Sequence, residues 1–196
     1  YHLSDPNDND TDDDGLSDYE EAVTYETSLK KSDTDDDGIE DYDEVFTYFT
    51  NPTVSDTDED GLGDGTEIFY WNDYVTDPLD EDTDGDGLND GLEIDLGINP
   101  LDGDSDSDGL DDYWEYIRSS EGYNYDAGDN DTDDDGTLDG DEDLDTDGLT
   151  NLEEINTYFT DPLEVDSDSD NLWDGDEINP WTIKKDGVNN LYNYPS

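Results

Sequence analysis

One twelve-residue phrase, D-x-D-x-D-G-[LI]-x-D-x-x-E, recurs along this 196-residue chain and limits what it can fold into. It begins at Asp10, Asp33, Asp56, Asp82, Asp104 and Asp131 with every key residue in place, apart from Thr137 at the aliphatic position. Two further copies carry one change each: the copy from Asp143 has Asn151 at position 9, and the copy from Asp166 has Asn171 in place of glycine. Chance is the first rival, because the chain holds 49 Asp and 16 Glu. The residue frequencies predict roughly 0.005 full copies. Six are present, so the pattern is specified rather than compositional. Successive copies start 23, 23, 26, 22, 27, 12 and 23 residues apart, a tandem array with two insertions and one collapsed interval.

The spacing has a chemical reason. Carboxylates at positions 1, 3 and 5 converge on one point only if the chain coils tightly around it. Glycine at position 6 permits that turn. The position 7 carbonyl then faces the same point, position 9 contributes directly or through water, and the long Glu at 12 closes the shell. Such a shell supplies six to eight oxygens, the coordination of Ca²⁺, whereas Mg²⁺ demands a smaller, stricter octahedron. Hard oxygen donors without His or Cys argue against zinc, copper and iron.

The expected ligands are therefore Asp10, Asp12, Asp14, Leu16, Asp18 and Glu21; Asp33, Asp35, Asp37, Ile39, Asp41 and Glu44; and Asp56, Asp58, Asp60, Leu62, Asp64 and Glu67. They continue with Asp82, Asp84, Asp86, Leu88, Asp90 and Glu93; Asp104, Asp106, Asp108, Leu110, Asp112 and Glu115; and Asp131, Asp133, Asp135, Thr137, Asp139 and Glu142. The last two sets are Asp143, Asp145, Asp147, Leu149, Asn151 and Glu154, and Asp166, Asp168, Asp170, Leu172, Asp174 and Glu177. In each set the position 7 residue offers its carbonyl.

Composition now has an explanation. The formal charge is −60, and only 28% of residues are hydrophobic, a profile that by itself belongs to disordered acidic chains. Yet 39 of the 40 side-chain ligand positions are acidic, so most of the charge is a ligand inventory. Eight Ca²⁺ ions would bring the charge to −60 + 16 = −44. Other acidic residues, such as Asp13, Asp36, Glu59 and Asp134 at position 4 and Glu20, Asp43, Asp141, Glu153 and Asp176 at position 11, are candidates for second sites or for a solvated acidic face.

The same composition excludes several functions. DNA, RNA and anionic lipid need positive charge in a partner. No stretch approaches a membrane-spanning length. There is no Cys, which excludes thiol chemistry, and His2 is the one histidine, which argues against a His-based zinc site. No carboxylate pair stands out from the repeat as a hydrolase site, and the chain reads as a non-enzyme. It begins at Tyr1 and contains no Met, which reads as a mature or excised piece of something longer.

Each loop is followed by apolar residues at three- to four-residue spacing, which predicts one or two helical turns starting near position 8. The expected core is the position 7 aliphatic packed on Val23 and Tyr25; Val45, Phe46, Tyr48 and Phe49; Ile68, Phe69 and Trp71; Ile94 and Leu96; Trp114, Tyr116 and Ile117; and Ile155, Tyr158 and Phe159. Asn/Asp-Pro pairs at Pro6, Pro52, Pro78, Pro100 and Pro162 stop these segments four residues before a loop. The gap between loops has no room for the two helices of an EF-hand.

This pattern resembles thrombospondin type 3 repeats, in the cysteine-free form found in bacterial and archaeal surface proteins. The shared phrases are residues 50–62, TNPTVSDTDEDGL, and residues 160–170, TDPLEVDSDSD. The resemblance spans about residues 5–180. It implies a calcium-cored array with little regular secondary structure, an extracellular or cell-surface setting, and a spacer, stalk, fibre or adhesive role. The cysteine pairs of the animal repeats are missing, which leaves apolar packing and shared ions to join the repeats.

The expected organisation is eight tandem repeats over residues 1–178, with a break at 116–143, and a C-terminal extension at 179–196. The extension reads as a hairpin or an interface, because Lys184 and Lys185 replace the start of a loop and Asp186-Gly187 suits a tight turn. The chain opens on Ser4-Asp5-Pro6 and closes on Pro195-Ser196, as if more repeats flanked it, which raises head-to-tail self-association. Asn9 and Asn130 match the N-glycosylation pattern. The alternative functions are a calcium or lanthanide buffer, and an adhesin module that stacks glycan on its aromatics.

Overall fold

The computed structural model describes residues 4–5, 7–69 and 74–178. His2, Pro6, Trp71 and the 179–196 extension therefore lie outside the described residues. The chain forms two compact units, Tyr1–Gly103 and Asp104–Ser196. The first holds loops one to four and the second loops five to eight, and the insertion at 116–130 falls inside the second.

Regular structure is sparse, as the loop density demands. Among the described residues there is no strand, and the helices are short: α1 Asp18–Glu20, α2 Asp41–Asp43, α3 Asp64–Ile68, α4 Asp90–Leu96, α5 Asp112–Glu121, α6 Asn151–Glu153 and α7 Asp174–Ile178. Each starts at position 9, so the last four residues of the twelve-residue phrase form its first turn. The residue at position 8 caps several of them: Ser17 and Thr150 form capping boxes with Glu20 and Glu153, and Asn89 accepts the N–H of Leu92. Glu20 and Glu153 are thereby engaged as caps, which accounts for two of the position 11 acids.

The repeat length has a structural cause. α1, α2 and α6 each run on into a π-helical turn, at Glu21–Tyr25, Glu44–Tyr48 and Glu154–Tyr158. Eight residues separate Asp18 from left-handed Glu26, Asp41 from left-handed Phe49 and Asn151 from left-handed Phe159; seven separate Asp90 from left-handed Gly97. The three π-containing repeats have a period of 23 and the α4 repeat a period of 22. The additional residue is absorbed as a π turn, the usual form of a one-residue helix insertion.

The interior is not the one expected. Leu16, Ile39, Leu88, Leu110 and Leu149 at position 7 are buried, as the sequence indicates. The residues expected to cover them divide: Phe46 is 50% exposed, Phe49 70% and Phe159 84%, and Val23, Phe69, Leu96 and Tyr158 are exposed as well, whereas Tyr25, Val45, Tyr48, Ile68, Ile94, Trp114, Tyr116, Ile117 and Ile155 are half-buried. Carboxylates share the interior with the position 7 aliphatics. Glu21, Glu44, Glu93, Glu115 and Glu154 at position 12 are completely buried, and Glu67 nearly so. Short helices present a narrow inward face, and the Glu at position 12 is its most buried residue, with Val45, Ile68, Ile94 and Ile155 half-buried beside it.

In the second unit the 123–127 segment folds back on α5. Trp114 meets Tyr125 edge-on at 5.0 Å, Arg118 lies 5.3 Å over Trp114, and Arg118 also pairs with Glu121 at 2.7 Å.

Candidate metal centres

Each loop is a closed cage of backbone donors on carboxylates. In loop two the N–H groups of Asp36 and Gly38 donate to the two oxygens of Asp33, and that of Ile39 donates to Asp37 at 2.8 Å. Loop three repeats this, with Gly61 on Asp56 and Leu62 on Asp60. The turn requires two left-handed residues. Position 6 supplies one, with Asn171 at φ 77° in the glycine-free loop. Position 4 supplies the other, where Asp13, Asp36, Glu59 and Asp134 all have φ between 60° and 68°. Those four side chains are exposed, so position 4 is the outer corner of the turn.

The cage orders carboxylates around a point. Asp10, Asp12 and Asp14 bring one oxygen each within 4.8 Å of one another, as do Asp33, Asp35 and Asp37, and Asp56, Asp58 and Asp60. A second type of cluster joins neighbouring repeats: Asp37 and Glu44 meet Asp64, and Asp60 and Glu67 meet Asp90, by the same distance criterion. Position 5 thus belongs to two clusters, and position 9 reaches back to the repeat before it. Position 9 also straps its own loop, since Asp64 accepts the N–H of Thr57 at 2.7 Å and its hydroxyl at 2.6 Å. Thr34–Asp41, Thr83–Asp90 and Thr132–Asp139 form the same strap.

Two further residue types complete this frame, and sequence reasoning passed over both. Glycine at position 10 allows one repeat to sit against the last: Gly91 donates its N–H to Asp60 at 3.0 Å, Gly140 to Asp108 at 2.7 Å and Gly175 to Asp147 at 2.7 Å. A Cβ on any of these glycines would run into the carbonyl of the same aspartate. The threonine before Asn/Asp-Pro donates to the buried position 12 carboxylate, as Thr50 does to Glu44, Thr76 to Glu67 and Thr160 to Glu154. Both signals stand in the aligned repeats as Asp-Gly at 9–10 and Thr-Asn/Asp-Pro.

The electrostatics are severe. Buried oxygens of Asp12, Asp14, Asp35, Asp37, Asp58, Glu21, Glu44, Glu67, Glu115 and Glu154 have no hydrogen-bond partner. Burial is the main cause that pushes Glu44 and Glu115 up to about 9, Glu67 and Glu154 up to about 8, and Glu21 up to about 7, with neighbouring aspartates adding to each shift. Asp106 is pushed up to about 7 and Asp35 and Asp58 to about 6 for the same reasons. Buried charges are tolerated only when paired or bound to a metal. The described residues bring no basic side chain to these clusters; Lys31 pairs outside, with exposed Asp36. A divalent cation fits, because it offsets desolvation and repulsion together.

The sites are not equivalent. Asp133, Asp135 and Thr137 of loop six are exposed and Glu142 is half-buried. That loop abuts loop seven, and its helix shrinks to a single 3₁₀ turn, Asp139–Asp141. Asn151, fully buried, directs its amide N–H groups to Tyr125 Oη at 3.0 Å and to the Asp139 carbonyl at 2.8 Å. Leu144 stands at position 2 of that loop, so a strapping Asp at 9 would have no hydroxyl to hold. In loop eight Asp168, Asp170 and Glu177 are exposed.

Asn9 and Asn130 are exposed, and their carbonyls accept the N–H of Asp18 at 2.9 Å and Asp139 at 3.1 Å. The threonines of both acceptor patterns, Thr11 and Thr132, give their hydroxyls to those same aspartates. Loop closure therefore uses the Asn-Asp-Thr phrase.

Comparison with protein-family models, with characterised proteins and with solved structures returns no match.

Proposed function

We propose that this chain is a calcium-binding structural repeat module, non-enzymatic and extracellular, that serves as a spacer, stalk or fibre subunit. One observation carries the reading: Glu21, Glu44, Glu67, Glu115 and Glu154 at position 12 are buried with partnerless oxygens in both units, and in the first unit they stand with convergent aspartates. With its carboxylates ionised, such an interior needs counter-ions inside it. Oxygen-only donors favour Ca²⁺. The residues that would hold it are those at positions 1, 3, 5 and 12 of each loop, with position 9 of the next repeat at the junctions, giving at least eight ions and room for a second set between repeats. Bound calcium would supply the folding free energy that the few buried aliphatics cannot. Extracellular modules of this kind bind at about 10⁻⁴–10⁻³ M, so the calcium outside cells would saturate them. The resemblance to thrombospondin type 3 repeats supports the same reading. No helix among the described residues is long and apolar enough to cross a membrane.

The test is circular dichroism and amide hydrogen exchange with and without EDTA. Loss of the helical signal and of protection on chelation is expected, with recovery on adding calcium. Spectra and protection that ignore EDTA would overturn the reading.

A further inference from the structure

Three repeats of the first unit place an apolar side chain at the same position, 14 of the repeat: Val23, Phe46 and Phe69. None is core; they are 59%, 50% and 45% exposed. Successive repeats meet along this row. Tyr25 approaches Phe46 edge-on at 6.3 Å, Tyr42 lies 4.8 Å from Phe46, and Tyr48 approaches Phe69 edge-on at 6.4 Å. The series stops at Asp95 in repeat four; in the second unit Ile117 of repeat five is half-buried and repeat seven has Asn156. Contiguous exposed apolar surface marks interaction sites.

Charge selects the occupant. Glu20, Glu26 and Glu40 are exposed on or beside the same helices. An occupant must bring apolar groups and positive charge. One segment of this chain has both: residues 181–188, WTIKKDGV, carry Trp181, Ile183 and Val188 with Lys184 and Lys185, two of the five basic residues in the sequence. It belongs to the 18 residues, 179–196, that contain no loop phrase. We propose that the row of Val23, Phe46 and Phe69 docks the 181–188 segment of a second copy, which joins copies head to tail. Repulsion between the acidic bodies is screened beyond about 8 Å at physiological ionic strength, and bound cations lower it further. The docking deepens the fibre reading above and rests on it for a folded first unit.

Sedimentation velocity of the full chain in saturating calcium tests the proposal. The expected result is a sedimentation coefficient that rises with concentration. That rise should be lost in Phe46→Ser/Phe69→Ser and in Lys184→Glu/Lys185→Glu, and suppressed by a synthetic 179–196 peptide. Circular dichroism in calcium checks that the first variant keeps its fold, since Phe46 and Phe69 also meet Tyr25, Tyr42 and Tyr48, and the lysine variant tests the docking without touching that row. A chain that stays monomeric at every concentration while its dichroism still depends on calcium overturns the docking and leaves the calcium reading intact. Association that survives both double variants overturns it too, as does a monomer whose tail cross-links to its own row. Dichroism that ignores EDTA removes the calcium reading instead, and the sedimentation of the variants still decides the docking.

Discussion

Asp60 accepts the N–H of Gly91, one repeat further on, at 3.0 Å, and the carbonyl of the same aspartate stands where a Gly91 side chain would begin. Repeats are thus joined by backbone to carboxylate at a distance that leaves no space for a methyl group. Gly91→Ala should destabilise the calcium-loaded chain by about 1–3 kcal/mol, the cost of overpacking a close contact. Thermal melts in calcium check this; an unchanged melting temperature would show that the junction yields freely.

Glu44 is completely buried, with one oxygen accepting from Thr50 and the other partnerless. Glu44→Gln keeps the shape and removes a charge. Site affinity follows ligand charge, so the calcium midpoint of folding should rise by about tenfold at that site. Calcium titration followed by dichroism reads the shift. Thr50→Val should move the midpoint in the same direction but less, since it removes only the hydroxyl that orients the carboxylate.

The pH dependence reverses with calcium. In the metal-free fold Glu21, Glu67 and Glu44 are raised to about 7, 8 and 9 from an ordinary 4.5. Raised carboxyls favour the folded state when protonated. That stability is fully present below about 4.5 and is lost as pH rises through 7–9. Calcium-stripped protein should therefore be more helical at pH 4.5 than at pH 8.5. With calcium present, protons compete for the same oxygens, and the calcium needed for folding should increase as pH falls. Dichroism across both series checks the two opposite slopes.

Phe49 ends the α2 segment at φ 66° and is 70% exposed, and Phe159 does the same at φ 59° and 84%. A left-handed aromatic is strained, and neither ring gains burial in return. Phe49→Gly should stabilise the chain by about 1 kcal/mol, read as a higher melting temperature in calcium. A decrease would mean that the exposed ring makes contacts that favour its position.

Much of the metal frame is legible in the sequence, because ligand geometry in one loop depends on neighbours in the chain. Asp33, Asp35 and Asp37 converge since one turn brings them together, and the aliphatic at position 7 is buried for the same local reason. The helix start at position 9 is equally local. Phe46, Phe49, Phe69, Tyr158 and Phe159 were misread as core because helical spacing indicates a face without saying what covers it. Phe46 shares its helix with Glu44, and a cluster completed by Asp64 from the following repeat claims the inner side for the carboxylate.

The sequence by itself determined the loops, their oxygen-only chemistry and the short helices, since all of these are set within a dozen residues. Tertiary structure decided what lies between repeats. Only the folded chain brings Asp37 and Glu44 to Asp64, turns Gly91 onto Asp60, and converts the additional residue of a 23-residue period into a π turn. These depend on the stacking of one repeat on the next. That stacking is set by backbone contacts at glycine and by the need to bury charge around a shared point, which no single repeat can satisfy alone.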